Sequence, residues 1–127
     1  MKSFAVPQEK YTPKIDLNID KAELTFIGNS IPENVSEFYA PLLKLINENA
    51  DVIKNQEKAF EIVIKFDYFN TSTLRVLIAL FKQLIDIKWI DGVNVDWHYD
   101  KNDSDMQETA KMISNILSLP FNLIERE

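Results

Sequence analysis

Cysteine does not occur in the 127 residues of this chain, which excludes a disulfide framework, a thiolate nucleophile and any cysteine-held metal. Glycine occurs only as Gly28 and Gly92, so there is neither a glycine-rich phosphate cradle nor a Gly-x-Ser-x-Gly elbow. Positive charge is the scarcer sign: 14 Lys and Arg stand against 20 Asp and Glu, a formal charge of -6. That balance opposes the phosphate neutralisation behind most nucleic-acid affinity, and a nucleic-acid partner is not expected. No stretch approaches the roughly 18 unbroken apolar residues of a membrane span, so no membrane insertion is expected. The start Met1-Lys2-Ser3-Phe4-Ala5-Val6-Pro7 lacks the apolar run of a signal peptide, which predicts a cytoplasmic protein. Asp100 to Asp105 resembles a calcium loop only superficially. Its sixth position is Asp105 where glycine is required, and its twelfth is Lys111 where glutamate is required. Neither a metal nor a cofactor is expected.

What is present is apolar residue in quantity, 46% hydrophobic and 11% aromatic, enough for one domain with a real core. Residues 1–12, with two prolines and no sustained period, read as a flexible lead-in to a single domain over 13–127. Ile15, Leu17 and Ile19, then Leu24, Phe26 and Gly28, alternate on either side of Asp20-Lys21 and predict a hairpin. Ser30-Ile31-Pro32-Glu33 fits a capping box, so a helix is expected to start there, and Pro41 is expected to bend or divide it. Phe60 to Tyr68, apolar at neighbouring positions 62–64, predicts a central strand covered on both faces. Residues 73–87 read as a deeply packed helix and Val93 to Tyr99 as a strand with one polar face. A third helix follows, capped by Asp103 or Ser104 and stopped by Pro120, and a short strand is expected over 121–124. Strands alternating with helices after a hairpin imply an α/β sandwich with a mixed sheet.

The candidate functional feature is Asn70-Thr71-Ser72-Thr73, where the central strand meets the apolar helix. Asn, Ser and Thr are preferred caps, and one of the four must serve as one. Four candidates for one task leave a hydroxyl free at the positive end of a helix, where a phosphate is well tolerated. Arg75, one turn on, is placed to pair with a phosphate or with an acidic partner group. The only histidine, His98, lies between Asp96 and Asp100 on its strand. It would be required for a small hydrolase with a Ser or Thr nucleophile, the enzymatic alternative.

Several separated blocks, in order, carry a resemblance to a known family. They are Thr12-Pro13-Lys14-Ile15, Gly28-Asn29-Ser30-Ile31-Pro32-Glu33-Asn34, Tyr68-Phe69-Asn70-Thr71-Ser72, and Val95-Asp96-Trp97-His98-Tyr99-Asp100 with Asp103-Ser104-Asp105-Met106. From Thr12 to about Phe121 the chain resembles the SiaC-type regulatory phosphoproteins of bacteria. It departs from their pattern at Ser104, usually acidic, and at Thr73, usually serine. The resemblance implies a fold similar to the STAS-type anti-sigma-factor antagonists and no catalytic activity. It implies phosphorylation of Thr71 by a dedicated protein kinase and removal of the phosphate by a PP2C-type phosphatase. It further implies that the phosphorylation state governs binding to an effector such as a diguanylate cyclase, within cyclic-di-GMP signalling and biofilm control. An anti-sigma-factor antagonist acting on transcription is the alternative within the same architecture. The candidate partner-binding neighbourhood is Asn70, Ser72, Arg75, Glu33, Asp103 and Asp105.

Overall fold

In the computed structural model, which describes residues 2–126, period-two alternation builds the first half of the sheet. β1 (Ser3–Val6), β2 (Lys14–Asn18) and β3 (Glu23–Ser30) are antiparallel neighbours, with Leu17 opposite Leu24 and Ile15 opposite Phe26 on the buried face. The tight turn between β2 and β3 is held by Ala22 N–H donating to the Ile19 carbonyl at 3.0 Å and Lys21 N–H donating to Asn18 Oδ1 at 3.1 Å. Then follow α1 (Val35–Glu48), α2 (Ala50–Asn55), β4 (Phe60–Phe69), α3 (Thr71–Ile87), β5 (Val93–Asp100), α4 (Ser104–Leu117) and β6 (Asn122–Arg126). β3, β4, β5 and β6 are mutually parallel, and the six strands lie side by side in chain order. The result is an α/β fold with a mixed sheet, as the alternation of elements predicts.

Three successive crossovers step in one direction across the sheet, and because such connections are right-handed, all the helices fall on one face. Burial follows suit. Leu24, Phe26, Ile62, Ile64, Val95 and Trp97 are sealed beneath helices, whereas Thr25, Val63, Lys65, Asp96 and His98 on the other face are only half-buried. A run of rings reinforces the covered side near the carboxyl ends of the parallel strands. Phe66 lies 5.6 Å from Phe26 and 5.4 Å from Phe69, and Trp97 lies 6.0 Å from Phe69 and 5.8 Å from Phe121 between centroids.

Four expectations are corrected. The presumed lead-in contributes β1, whose Phe4 and Val6 pack half-buried against the core. Ser30 is not a helix cap. It ends β3 opposite Phe69, because Ile31 precedes a proline and is held extended, and the cap of α1 is Asn34, accepting from Glu37 N–H at 3.0 Å. Pro41 does not divide the helix, which runs on to Glu48. The proline sits on the exposed side, where water can satisfy the freed Glu37 carbonyl, and the break falls at Asn49. β4 is central but covered on one face only, since Val63 and Lys65 line the open side. Among the described residues no helix is long and apolar enough to cross a membrane.

Candidate functional site

The loops that follow β3, β4 and β5 emerge at one edge of the sheet because those strands are parallel. At that edge β4 contains a bulge. Gly28 pairs with Phe66 and the next residue, Asn29, pairs with Tyr68, leaving Asp67 as the extra residue. Gly28 sits at φ +112, so the position opposite the bulge takes glycine for its conformation, and the exposed Gln8 side chain folds over the space a Cβ would occupy. Strict alternation from Phe66 would send Tyr68 inward. The bulge instead turns Tyr68 out, 57% exposed, and Phe69 in towards Phe66 and Trp97.

Past Phe69 the four-residue cluster divides its tasks. Asn70 is the N-cap of α3, its Oδ1 accepting from Thr73 N–H at 2.9 Å. Thr73 is fully buried, and its hydroxyl donates to the Ser30 carbonyl at 3.0 Å. Its oxygen is 2.8 Å from Ser30 Oγ, itself 2.6 Å from Tyr39 Oη. With the Thr73 proton committed to the carbonyl, the only assignment that satisfies every hydroxyl has Tyr39 donating to Ser30 and Ser30 donating to Thr73. Burial pushes the Tyr39 phenol up to about 12, an effect moderated by the Ser30 hydroxyl. Thr71 and Ser72 remain exposed in the first turn, with backbone N–H groups that have no intrahelical partner.

Thr71 also lines a groove of about 280 Å³ between the starts of α3 and α4. Phe69, Leu74 and Met106 supply its apolar lining, Asp67, Asp103 and Asp105 its acids, and Tyr68, Asn70 and Thr109 complete it. Asp103 caps α4, accepting from Met106 N–H at 3.0 Å, which settles the choice between Asp103 and Ser104. Beneath the groove, ladder pairing of β4 with β5 ends at Ile64 and Trp97. Arg126 on β6 spans the splayed strands, with Nη2 3.5 Å from Asp67 Oδ1 and Nε 3.2 Å from Asp100 Oδ1.

The structure thus brings together Asn70, Thr71, Asp103 and Asp105. Ser72 and Arg75 are exposed on α3 outside the groove lining, and Glu33 borders a different depression, with Phe4, Pro32 and Phe38. Tyr68, Asp67 and Met106 were not among the residues expected at the site. The bulge that presents the first two leaves no trace in the hydrophobic pattern. His98 lies on the uncovered face of the sheet, the opposite side from α3, and no hydrogen bond joins it to a hydroxyl among the described residues. The Ser/Thr–His arrangement of a hydrolase is therefore not formed. The His98 imidazole is held below its usual range by partial burial first, then by the positive charges of Lys65 and Arg126, against an opposing contribution from Asp96. Among the described residues no three acidic or histidine side chains converge as a metal site.

Comparison with known proteins gives this geometry a context. The solved structure of SiaC of Pseudomonas aeruginosa superimposes with a TM-score of 0.85 at 22% identity, covering 99% of this chain and 100% of that one. The same score and identity hold for the crystal structure of the diguanylate cyclase SiaD in complex with its activator SiaC from that organism, over 97% of this chain and 99% of the matched one. An uncharacterised protein of Pseudomonas aeruginosa is 24% identical over 123 residues, 95% of this chain and 94% of that protein. The profile of the SiaC family regulatory phosphoproteins matches residues 6–126, and the chain belongs to that family.

Proposed function

We propose that this protein is the non-catalytic switch of a bacterial signalling module, with Thr71 as its phosphate acceptor and the groove beside Thr71 as its effector-binding surface. The observation that carries the reading is the division of the hydroxyl cluster: Asn70 and Thr73 are committed to structure, and Thr71 alone of the two free hydroxyls opens onto the groove. A dedicated kinase adds the phosphate in the cytoplasm and a PP2C-type phosphatase removes it. The effector is a diguanylate cyclase, as SiaC of Pseudomonas aeruginosa is the activator of SiaD.

Phosphate on Thr71 brings about -1.5 to -2 charges and three acceptor oxygens. The free N–H groups at the start of α3 attract it, and Asp103 and Asp105 repel it, so it settles over the groove mouth and changes what the groove can receive. Incubation with the cognate kinase and ATP is expected to raise the intact mass by one phosphate, and Thr71→Ala to abolish the increase. Retention of the phosphate by Thr71→Ala, with fragment masses placing it on Ser72, would sink the assignment. Thr71→Glu is expected to reproduce the modified state only in part, because a carboxylate carries less charge and fewer oxygens.

A further inference from the structure

We infer that the groove beside Thr71 receives a basic segment with an apolar tip, a lysine or arginine lying against Asp105 and Asp103 while an aliphatic side chain rests on Phe69, Leu74 and Met106. This rests on the reading of the groove as the effector surface and names the chemistry of the effector segment. Three observations carry it. First, the lining has three carboxylates and no basic residue. The charge of Asp67 is balanced by Arg126, and Asp103 uses Oδ1 on the Met106 N–H, whereas Asp105 has neither an ion pair nor a side-chain hydrogen bond among the described residues. The groove therefore carries a net negative charge, offset only in part by the starts of α3 and α4, over an apolar floor, which favours a cationic occupant. Second, the groove is open and about 280 Å³, at the lower edge of the roughly 300–1,000 Å³ of small-molecule sites, a volume that one or two side chains of a protein can fill. Third, the bulge holds Tyr68 out at the groove's margin, a flat ring on which a guanidinium can stack. With such a partner, phosphate on Thr71 works by obstructing the groove mouth, since its charge alone would favour a cation.

The test uses the unphosphorylated full chain, labelled with nitrogen-15, and two probe peptides: acetyl-Ala-Leu-Arg-Leu-Leu-Arg-amide and the same peptide with glutamate in place of each arginine. The arginine peptide is expected to shift the amides of Leu74, Asp105, Met106 and Thr109, and the glutamate peptide to leave them unmoved. Asp105→Asn is expected to weaken the arginine peptide roughly two- to fivefold, as for the loss of one exposed ion pair. Asp16→Asn, on the uncovered sheet face, is expected to change nothing. Shifts centred elsewhere, equal response to both peptides, no response to either at millimolar concentration, or equal weakening by the two variants would overturn the inference. Because no kinase or phosphate enters this titration, its outcome is independent of the Thr71→Ala phosphorylation assay, and either reading can fail alone.

Discussion

Asn70 and Thr73 are three positions apart, and both hold the start of α3, the first through its side-chain oxygen and the second through a buried hydroxyl. Replacing a cap of this kind costs about 1 kcal/mol, so Asn70→Ala is expected to lower the urea midpoint by a corresponding amount. Thr73→Val keeps the shape but orphans the Ser30 hydroxyl proton and leaves the Ser30 carbonyl with the Asn70 N–H alone, at 3.2 Å, a loss of about 1–3 kcal/mol. Thr71→Ala and Ser72→Ala, on exposed side chains, are expected to stay within about 0.5 kcal/mol of the parent in the same titration. A large loss on Thr71→Ala would contradict its freedom from structural duty. At this scale the sequence reveals the candidates but not their ranking. Four adjacent capping residues are visible in the string 70–73. The partner that fixes Thr73, Ser30, is 43 positions away and looks in isolation like a cap for a different helix.

Among elements, the junction of α2 with the end of α3 depends on one fully buried cation. Lys88 caps α3, and its Nζ donates to the carbonyls of Ile53 at 3.0 Å and Gln56 at 2.7 Å, with Asp91 Oδ2 at 3.3 Å as counter-charge. The ammonium thus closes the carboxyl end of α2, which has six residues and little packing of its own. Lys88→Met would fill a similar volume, leave the Gln56 carbonyl without its donor and leave the Ile53 carbonyl with the Gln56 N–H alone, at 3.3 Å. It is expected to cost about 1–3 kcal/mol by chemical denaturation and to raise hydrogen exchange first in residues 50–56. Element type is largely legible: the alternations that define β2, β3 and β5 and the helical spacing of α1, α3 and α4 all appear as predicted. The misreadings have local physical causes. β1 is four residues long and only half-buried, so it lacks a pattern to detect. Pro41 is tolerated because its side of α1 faces water, and an exposed side cannot be distinguished from a buried one before the packing direction is known.

For the molecule as a whole, two shifted groups contribute to the pH dependence of its stability. His98 titrates below its ordinary 6.5 in the fold, so the unfolded chain takes up its proton first and stability falls as pH drops through and below 6.5. Tyr39 has the opposite sense at the alkaline end. Its folded value of about 12 exceeds the ordinary 10.0, so its contribution is complete below pH 10 and is lost as pH rises towards 12. Stability measured by denaturant across pH is expected to fall at both ends, with His98→Asn flattening the acidic limb and Tyr39→Phe the alkaline one. Unchanged slopes in these variants would remove the assignments. The exclusions of thiol chemistry and of a glycine-rich nucleotide cradle follow from composition alone. One-sided cover of the sheet does not, because Ile27 and Val63 on the open face read as core residues in a string. The strand order has a consequence for how the molecule is made. Since every strand lies beside its predecessor in the chain, no strand has to be inserted between two that have already paired. The sheet can therefore lengthen in one direction as the polypeptide emerges, each new β-strand docking on a finished edge, with the Thr71 turn in place before the last helix and strand are synthesised.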